Sequence, residues 1–265
     1  MNKIDINLIK KIRNITGASL LDCKNILILT NGNIKKAIIE MRKLGILKIL
    51  KKKKKKIING VIIVKNLNNF GIILEINCQT DFAAKSSEFL TFSNNIINNL
   101  LKNNFKYIKN IEKINFLYKK KIVDLFNKIN ENVNIRRINI LKKNIIEIYN
   151  HNNRIGVLIN AKFIQKKILK KIAMHIASEK PKFINIENIF YNFIINEYKI
   201  QNIIIRKKKD FLKKILLGKI KKYIYNITLM NQNFIFDISK KIKNIINKKN
   251  SIIYNFICYE LGEIL

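Results

Sequence analysis

Cys78, Asp81 and His151 are the residues whose types would suit nucleophilic chemistry: a thiol, a carboxylate and an imidazole. A thiol attacks well only with a base and an orienting group beside it, and no spacing here ties the three together. The other histidine, His175, lies in "KIAMHIAS", where Ile172, Ala173 and Ile176 mark a packed face, so it reads as a histidine at the core margin. His151 stands at an Asn-rich turn with no core to satisfy its ring, and structural and functional roles both stay open for it. The phosphate cradle GxxxxGK[ST], the dinucleotide turn GxGxxG and the zinc-protease HExxH do not occur. Cys23, Cys78 and Cys258 are odd in number, far apart and without CxxC spacing, which argues for a reducing compartment and against a disulfide framework or zinc knuckle. No catalytic residue, metal or cofactor is expected, and the chain does not read as an enzyme.

Two other places invite binding instead. "CQTDFAAK", residues 78–85, sets Asp81 beside Phe82 where an apolar strand-like run gives way to a helix. On composition alone Asp81 reads as the helix cap and Phe82 as a core anchor. Leu20 and Leu21 open a short helix about 100° apart, so one faces inward while its neighbour faces out; core and exposed contact patch are both open for the pair. The formal charge of +36 invites nucleic acid or anionic lipid. Lysine, asparagine and isoleucine are enriched together in every segment, however, as strong A+T bias in coding DNA would produce. Charge so scattered predicts no specific nucleic-acid partner, and no apolar run reaches the ~20 residues that span a bilayer.

The elements that must carry these residues follow from periodicity. "IDINLIKKIRN" places Ile4, Leu8 and Ile12 on one helical stripe. "ASLLDCKNILILTNGN" opens with Ser19 and Asp22 in capping-box spacing and stops at Asn31-Gly32. A third helix runs from after Asn33 to Gly45, and a run of six lysines, which repel one another, reads as a solvated tether or a helix extension and not as a recognition stripe. From Gly60 the period becomes two: "GVIIVKN" and "FGIILEINC" form a hairpin across "LNN". The helix "SSEFLTFSNNIINNLL" follows, with Ser86 or Ser87 as its cap. A second set reads "VNIRRINIL", "NIIEIYN" and "RIGVLINAKF", then the helix "QKKILKKIAMHIAS", bounded by the single proline, Pro181. "NNFGIILEI" and "NNRIGVLINA" share an Asn pair, a Gly and an alternating apolar tail, which suggests an internally duplicated α+β core. Residues 186–226 read as two helices returning on each other, split near Lys207–Lys209, and the remainder as strand, helix, strand.

The chain resembles the elongation factor Ts family over essentially all its length. The residues that carry this are "TGASLLDCK" (16–24), "NGNIKKAIIEMRKLG" (31–45), "GIILEINCQTDFAAK" (71–85), "NENVNIRRI" (130–138), "RIGVLI" (154–159) and "IAMHIASEKPKFI" (172–184). The resemblance implies a guanine-nucleotide exchange factor of translation elongation that binds elongation factor Tu, GDP-bound and nucleotide-free, in the cytoplasm. An A+T-rich reduced bacterial genome or an organelle-encoded copy would be its source. It also implies the architecture: an N-terminal three-helix module like ubiquitin-associated domains with a Lys-rich linker (1–55), a duplicated α+β core (56–140, and 141–183 with 229–265), and an inserted antiparallel coiled-coil hairpin (184–228). That hairpin offers a surface for a dimer or heterotetramer.

By the same resemblance Asp81 and Phe82 enter the partner's G domain beside its magnesium and phosphate site, and Leu20, Leu21 and Lys24 touch that domain. Ile129, Asn130 and His151 extend the contact, and Ile235 meets a β-domain of the partner. The chain departs from the family pattern at four places. Asn130 stands at a usual Gly, Asn233 at a usual Pro, and Leu20-Leu21 at a usual Met pair, which loses adaptability. The chain also stops soon after "YELGEIL", where many members continue into a helical module, so a weaker grip on the partner is expected.

Overall fold

The structure, a computed structural model, describes residues 5–16, 18–41, 59–102, 111–142, 144–205, 211–246 and 250–263, with backbone alone for 199–205 and 211–214. It is an α+β protein that divides into two compact units, Met1–Ile63 with Leu74–Asn139 and Glu260–Leu265, and Val64–Ile73 with Ile140–Tyr259.

The first unit opens with α1 (Ile6–Thr16), α2 (Leu20–Leu29) and a helix α3 over 34–41. Ser19 caps α2, accepting from the Asp22 N–H at 3.1 Å while its hydroxyl donates to the Asp22 carboxylate at 2.8 Å. The helix ends in a Schellman motif: Asn31 turns left-handed at φ 48°, its N–H donates to Ile28 O at 3.2 Å, and the Gly32 N–H donates to Leu27 O at 2.9 Å. Asn33 then caps α3, accepting from the Lys36 N–H at 3.0 Å. Ile12, Cys23, Ile26, Leu27, Ala37 and Met41 close a small core, with Leu8 against it as its stripe predicts. Ile4, the end of α3 and the lysine run lie outside the described residues.

Strands β1 (Asn59–Leu67), β2 (Phe70–Cys78) and β3 (Asn134–Lys142) form a sheet in that order, and β1 turns into β2 through Asn68 at φ 52°. Every residue of β2 is buried, as a central strand covered on both faces requires. A short helix α4 (Asp81–Lys85) leads into α5 (Ser87–Lys102), which buries Phe89, Phe92, Ile96, Ile97, Leu100 and Leu101 along one stripe. Ser86 is its cap, accepting from the Phe89 N–H at 3.3 Å. Helix α6 (Ile111–Ile129) packs on α5. Periodicity assigned no element there, because Lys113, Lys119, Lys120 and Lys121 crowd the stripe of Ile114, Tyr118, Ile122 and Leu125.

In the second unit β4 (Ile145–His151), β5 (Ile155–Lys162) and β8 (Ile252–Glu260) make another three-stranded sheet, β5 in the middle, and α7 (Lys166–Glu179) covers it. The two similar sequence segments are thus each the central strand of a three-stranded sheet, and each leads into a helix. Within this unit Gly71 gives β2 its close approach, since a Cβ there would stand 2.5 Å from Leu158 Cδ1 and 2.8 Å from Ile146 Cγ2. Helix α7 stops at Lys180, left-handed at φ 47°, just before the buried Pro181. Helices α8 (Tyr191–Ile205) and α9 (Phe211–Ile227) pack on each other, and the lysine cluster at 207–209 between them lies outside the described residues. The chain leaves and returns at one place: Phe183 N–H donates to Ile227 O at 3.0 Å, and Leu229 N–H donates to Phe183 O at 2.8 Å. The hairpin β6 (Asn233–Phe234) and β7 (Asp237–Lys241), a single turn α10 (Ile242–Ile245) and β8 complete the unit.

His175 is fully buried, as its apolar neighbours predict. The Ile235 N–H donates to its Nδ1 at 3.4 Å, so the proton sits on Nε2, which donates to Gln232 Oε1 at 2.9 Å. Burial lowers the pKa of this ring, outweighing the Gln232 contact that favours its charged form. Between the depressed folded value and the ~6.5 of an unfolded histidine, only the unfolded chain binds the proton. Stability is therefore expected to fall as pH drops below ~6.5, and unfolding midpoints in urea at a series of pH values check this. A His175→Asn chain should lose that part of the slope.

Across both units, Asn31, Asn68, Asn130, Asn144, Asn152, Asn153 and Asn250 adopt positive φ, joined among the described non-glycine residues by Phe163 and Lys180.

Candidate partner-binding site

The turn between β2 and α4 is held at every polar group of Gln79 and Thr80 main chain. Gln79 N–H and Thr80 N–H donate to Glu131 Oε2 at 3.2 and 3.0 Å. The Gln79 carbonyl accepts from Asn59 Nδ2 at 2.9 Å, and the Thr80 carbonyl accepts from Cys78 Sγ at 3.2 Å and from the Ala84 N–H at 3.3 Å. The Thr80 hydroxyl donates to Glu131 Oε1 at 2.6 Å and accepts from the Ala83 N–H at 3.2 Å. Thr80, and not Asp81, is therefore the cap of α4. Asp81 stands in its first turn, exposed and paired with Lys85 at 3.3 Å.

Ala83 and Ala84 are the residues of α4 that turn inward, which leaves Phe82 on the outer face with 83% of its surface exposed. The expectation of a core anchor is corrected by this geometry. Burying a Phe side chain is worth roughly 1.5–3 kcal/mol, and the fold forgoes that gain at a position it otherwise fixes closely.

Ile129 is half-buried at the end of α6, and Asn130 is exposed at φ 55°, with its N–H on Phe126 O at 2.7 Å. Asparagine tolerates this left-handed conformation, so the usual glycine position keeps its turn. The next residue is Glu131, which the sequence did not single out. It brings the end of α6 and the Asp81-Phe82 turn together. The signal available was the spacing "NENVN", a carboxylate between two Asn beside a turn.

On α2 the inward face is Cys23, Ile26 and Leu27, and Leu20 and Leu21 are both exposed, at 51% and 67%. The expectation that one of the pair faces inward is corrected, because the inward face begins only at Cys23, past the Ser19–Asp22 cap. Lys24 is exposed alongside. Ile28 and Leu29, at 52% and 76% exposed, extend this apolar surface to the far end of the helix. The sequence gives no periodic cue to this outer face, because Ile26, Leu27, Ile28 and Leu29 are four consecutive apolar residues that cover every side of the helix.

His151 and Ile235 belong to the second unit. His151 is exposed at the end of β4, its Nδ1 3.1 Å from the Tyr149 hydroxyl, beside a turn in which Asn152 and Asn153 supply two positive φ values as type I′ requires. Ile235 is half-buried at the tip of β6–β7, between Phe234 in the core and the exposed Phe236.

The nucleophile reading of Cys78 has no support in its surroundings. Burial, then the charges of Glu131 and Asp81, push its thiol up to about 12. At pH 8 about one molecule in ten thousand carries the thiolate, which is the reactive form. Cys78 is expected to resist iodoacetamide at pH 8 in the folded chain and to react on denaturation, a contrast read by mass spectrometry.

Behind the turn, Glu75 lies buried in β2 with Arg136 Nη1 at 2.9 Å and Arg137 Nε at 2.5 Å. Arg137 also reaches Glu263 at 3.0 Å and the Glu260 carbonyl at 2.9 Å, and Arg136 donates to the Glu263 carbonyl. Burial alone would raise the Glu75 carboxyl, but the hydrogen bond from Arg136 and the charge and hydrogen bond of Arg137 hold it below the usual range. The two most specific sequence segments, the one ending in "CQTDF" and "VNIRR", thus meet at an ion cluster that braces the strand feeding the turn. Among the described residues no helix is long and apolar enough to cross a membrane, and no group of three His, Cys, Asp or Glu could hold a metal ion.

The family model for Elongation factor TS matches residues 79–263. Elongation factor Ts of Buchnera aphidicola subsp. Acyrthosiphon pisum is 38% identical over 265 residues, covering 99% of this chain and 98% of that protein. That of Baumannia cicadellinicola is 39% identical over 270 residues, covering 99% and 95%, and that of Escherichia coli O139:H28 is 37% identical over 266 residues, covering 99% and 93%. On the match of that family model to more than half of the chain and on these identities over nearly its full length, the chain belongs to the elongation factor Ts family.

Proposed function

We propose that this chain is the guanine-nucleotide exchange factor of elongation factor Tu in a bacterial cytoplasm, and that Asp81 and Phe82 are the wedge that drives GDP out. The observation that carries the reading is the exposed ring of Phe82 on a turn with all its main-chain polar groups tied. A rigid, projecting aromatic spends little conformational entropy on docking. Magnesium demands near-octahedral oxygen ligation, so a ring that displaces the partner's helices beside the metal and phosphate site weakens GDP there. The coupling is reciprocal: GDP or GTP arriving later weakens the factor and releases it. Leu20, Leu21 and Lys24 touch the same G domain in this reading, Ile129, Asn130 and His151 extend the contact, and Ile235 meets a β-domain.

The division proposed is a ubiquitin-associated-like module with its linker (1–55), core halves at 56–140 and at 141–183 with 229–265, and a coiled-coil hairpin at 184–228. The pairing of Phe183 with Thr228 supports the last boundary, and a dimer or heterotetramer would form through that hairpin. The test is loss of fluorescent GDP from the cognate elongation factor Tu, accelerated by catalytic amounts of the purified chain. Tight, steeply salt-dependent RNA binding without any effect on GDP release would mark a nucleic-acid adaptor instead.

A further inference from the structure

We infer that Glu131 is the positioning residue of the wedge: its carboxylate clamps the turn from the end of α6 and sets the direction in which Phe82 projects. The inference rests on the exchange reading above and adds to it a residue that never touches the partner's nucleotide.

The carboxylate of Glu131 accepts three hydrogen bonds from two consecutive residues, Gln79 N–H, Thr80 N–H and the Thr80 hydroxyl. Those N–H groups stand just past the end of β2, where the sheet no longer supplies acceptors. An ionised acceptor makes such bonds short and strong, and the bond to the hydroxyl is 2.6 Å. The geometry is directional because both carboxylate oxygens are used, one on the two N–H groups and one on the hydroxyl. The same hydroxyl caps α4 through the Ala83 N–H. Rotation of Glu131 is therefore passed through one oxygen atom to the first turn of the helix that carries Phe82. The post itself is firm, since Glu131 follows Asn130 in a fixed left-handed conformation, and Phe126 and Leu125 of α6 are buried.

Without this clamp the turn keeps the hold on its carbonyls and the Thr80 cap of α4, but both of its N–H groups lose their acceptor, and the ring of Phe82 samples several directions. A wedge that is correctly aimed for only a fraction of the time loses that fraction of its maximal rate. Initial docking through other surfaces is unchanged.

The experiment is stopped-flow release of fluorescent GDP from the cognate elongation factor Tu at saturating full-length chain. Glu131→Ala is expected to lower the maximal release rate about tenfold, the order of one charge-assisted hydrogen bond, with the half-saturating concentration changed less than about threefold. Thr80→Val, close in shape and lacking the hydroxyl, should fall similarly, and Thr80→Ser should restore the rate. In the Phe82→Ala background, Glu131→Ala should cost almost nothing further, because both changes disable one device. A full maximal rate for Glu131→Ala, or losses that multiply in the double variant, overturns the positioning role while leaving the wedge. A full rate for Phe82→Ala alone removes the wedge and the positioning role with it. If Glu131→Ala does not fold, as thermal unfolding would reveal, the Thr80 pair decides the question by the same readout.

Discussion

Phe82→Ala is expected to slow GDP release from elongation factor Tu about thirty- to a hundredfold while leaving the chain as stable as before. Aromatic side chains that anchor an interface cost about 2–4 kcal/mol when truncated, and 2.7 kcal/mol is about a hundredfold in rate. The folded chain itself uses little of this ring, with 83% of its surface in solvent, so the unfolding midpoint should move within the ±0.5 kcal/mol of an ordinary surface substitution. This separation of activity from stability makes the test sharp. Phe82→Leu should retain part of the rate through its apolar bulk. Release kinetics and a urea titration on the same samples check both halves, and an Ala variant with an undiminished rate would falsify the wedge.

The second large effect concerns stability. Glu75→Ala is expected to destabilise the first unit by about 3–5 kcal/mol, because it takes the buried counter-ion from Arg136 and leaves Arg137 with the partly exposed Glu263 carboxylate. Domain stabilities are typically about 5–15 kcal/mol, so the loss is a fifth or more of the total. Replacing all three residues by apolar side chains of similar volume should cost far less than Glu75→Ala alone, since a buried ion cluster is offset by the cost of desolvating it. The folded Glu75 carboxyl is held below its unfolded value. Its contribution is therefore complete above the ~4.3 of a free glutamate and fades as pH falls below that value toward the depressed one. This loss sets in at a lower pH than that of His175, whose loss begins at ~6.5. Denaturant midpoints for the single and triple variants decide the first claim; a Glu75→Ala chain within 1 kcal/mol of the parent would refute it.

How far the sequence reveals this fold depends on whether a feature is written locally. Ser19, Asn31-Gly32, Asn33 and Ser86 each state their own hydrogen bond, and the caps and stops at those positions are legible one residue at a time. The strand hairpin and the split between α8 and α9 were equally plain. What the sequence hid was of two kinds. Helix α6 carries lysines on its outer face, which obscure its apolar stripe. The direction of a side chain beside a turn depends on which partner holds that turn, and Glu131 lies 51 residues from Thr80. Composition therefore sent Phe82 inward, and only the family resemblance pointed it outward. The roles of Glu75 and the arginine pair were hidden for the same reason, since an acid in one strand and two bases in another show nothing until the strands are adjacent.

The asparagines at positive φ carry a consequence of another kind. Of the nine such non-glycine residues among those described, seven are asparagine, in a chain of 265 residues with only 8 glycines. Glycine is written with G-rich codons and asparagine with A-rich ones, and both residues tolerate a left-handed backbone. An exchange of glycine for asparagine at such a position therefore leaves the bend in place, and the corners of this fold are open to either residue.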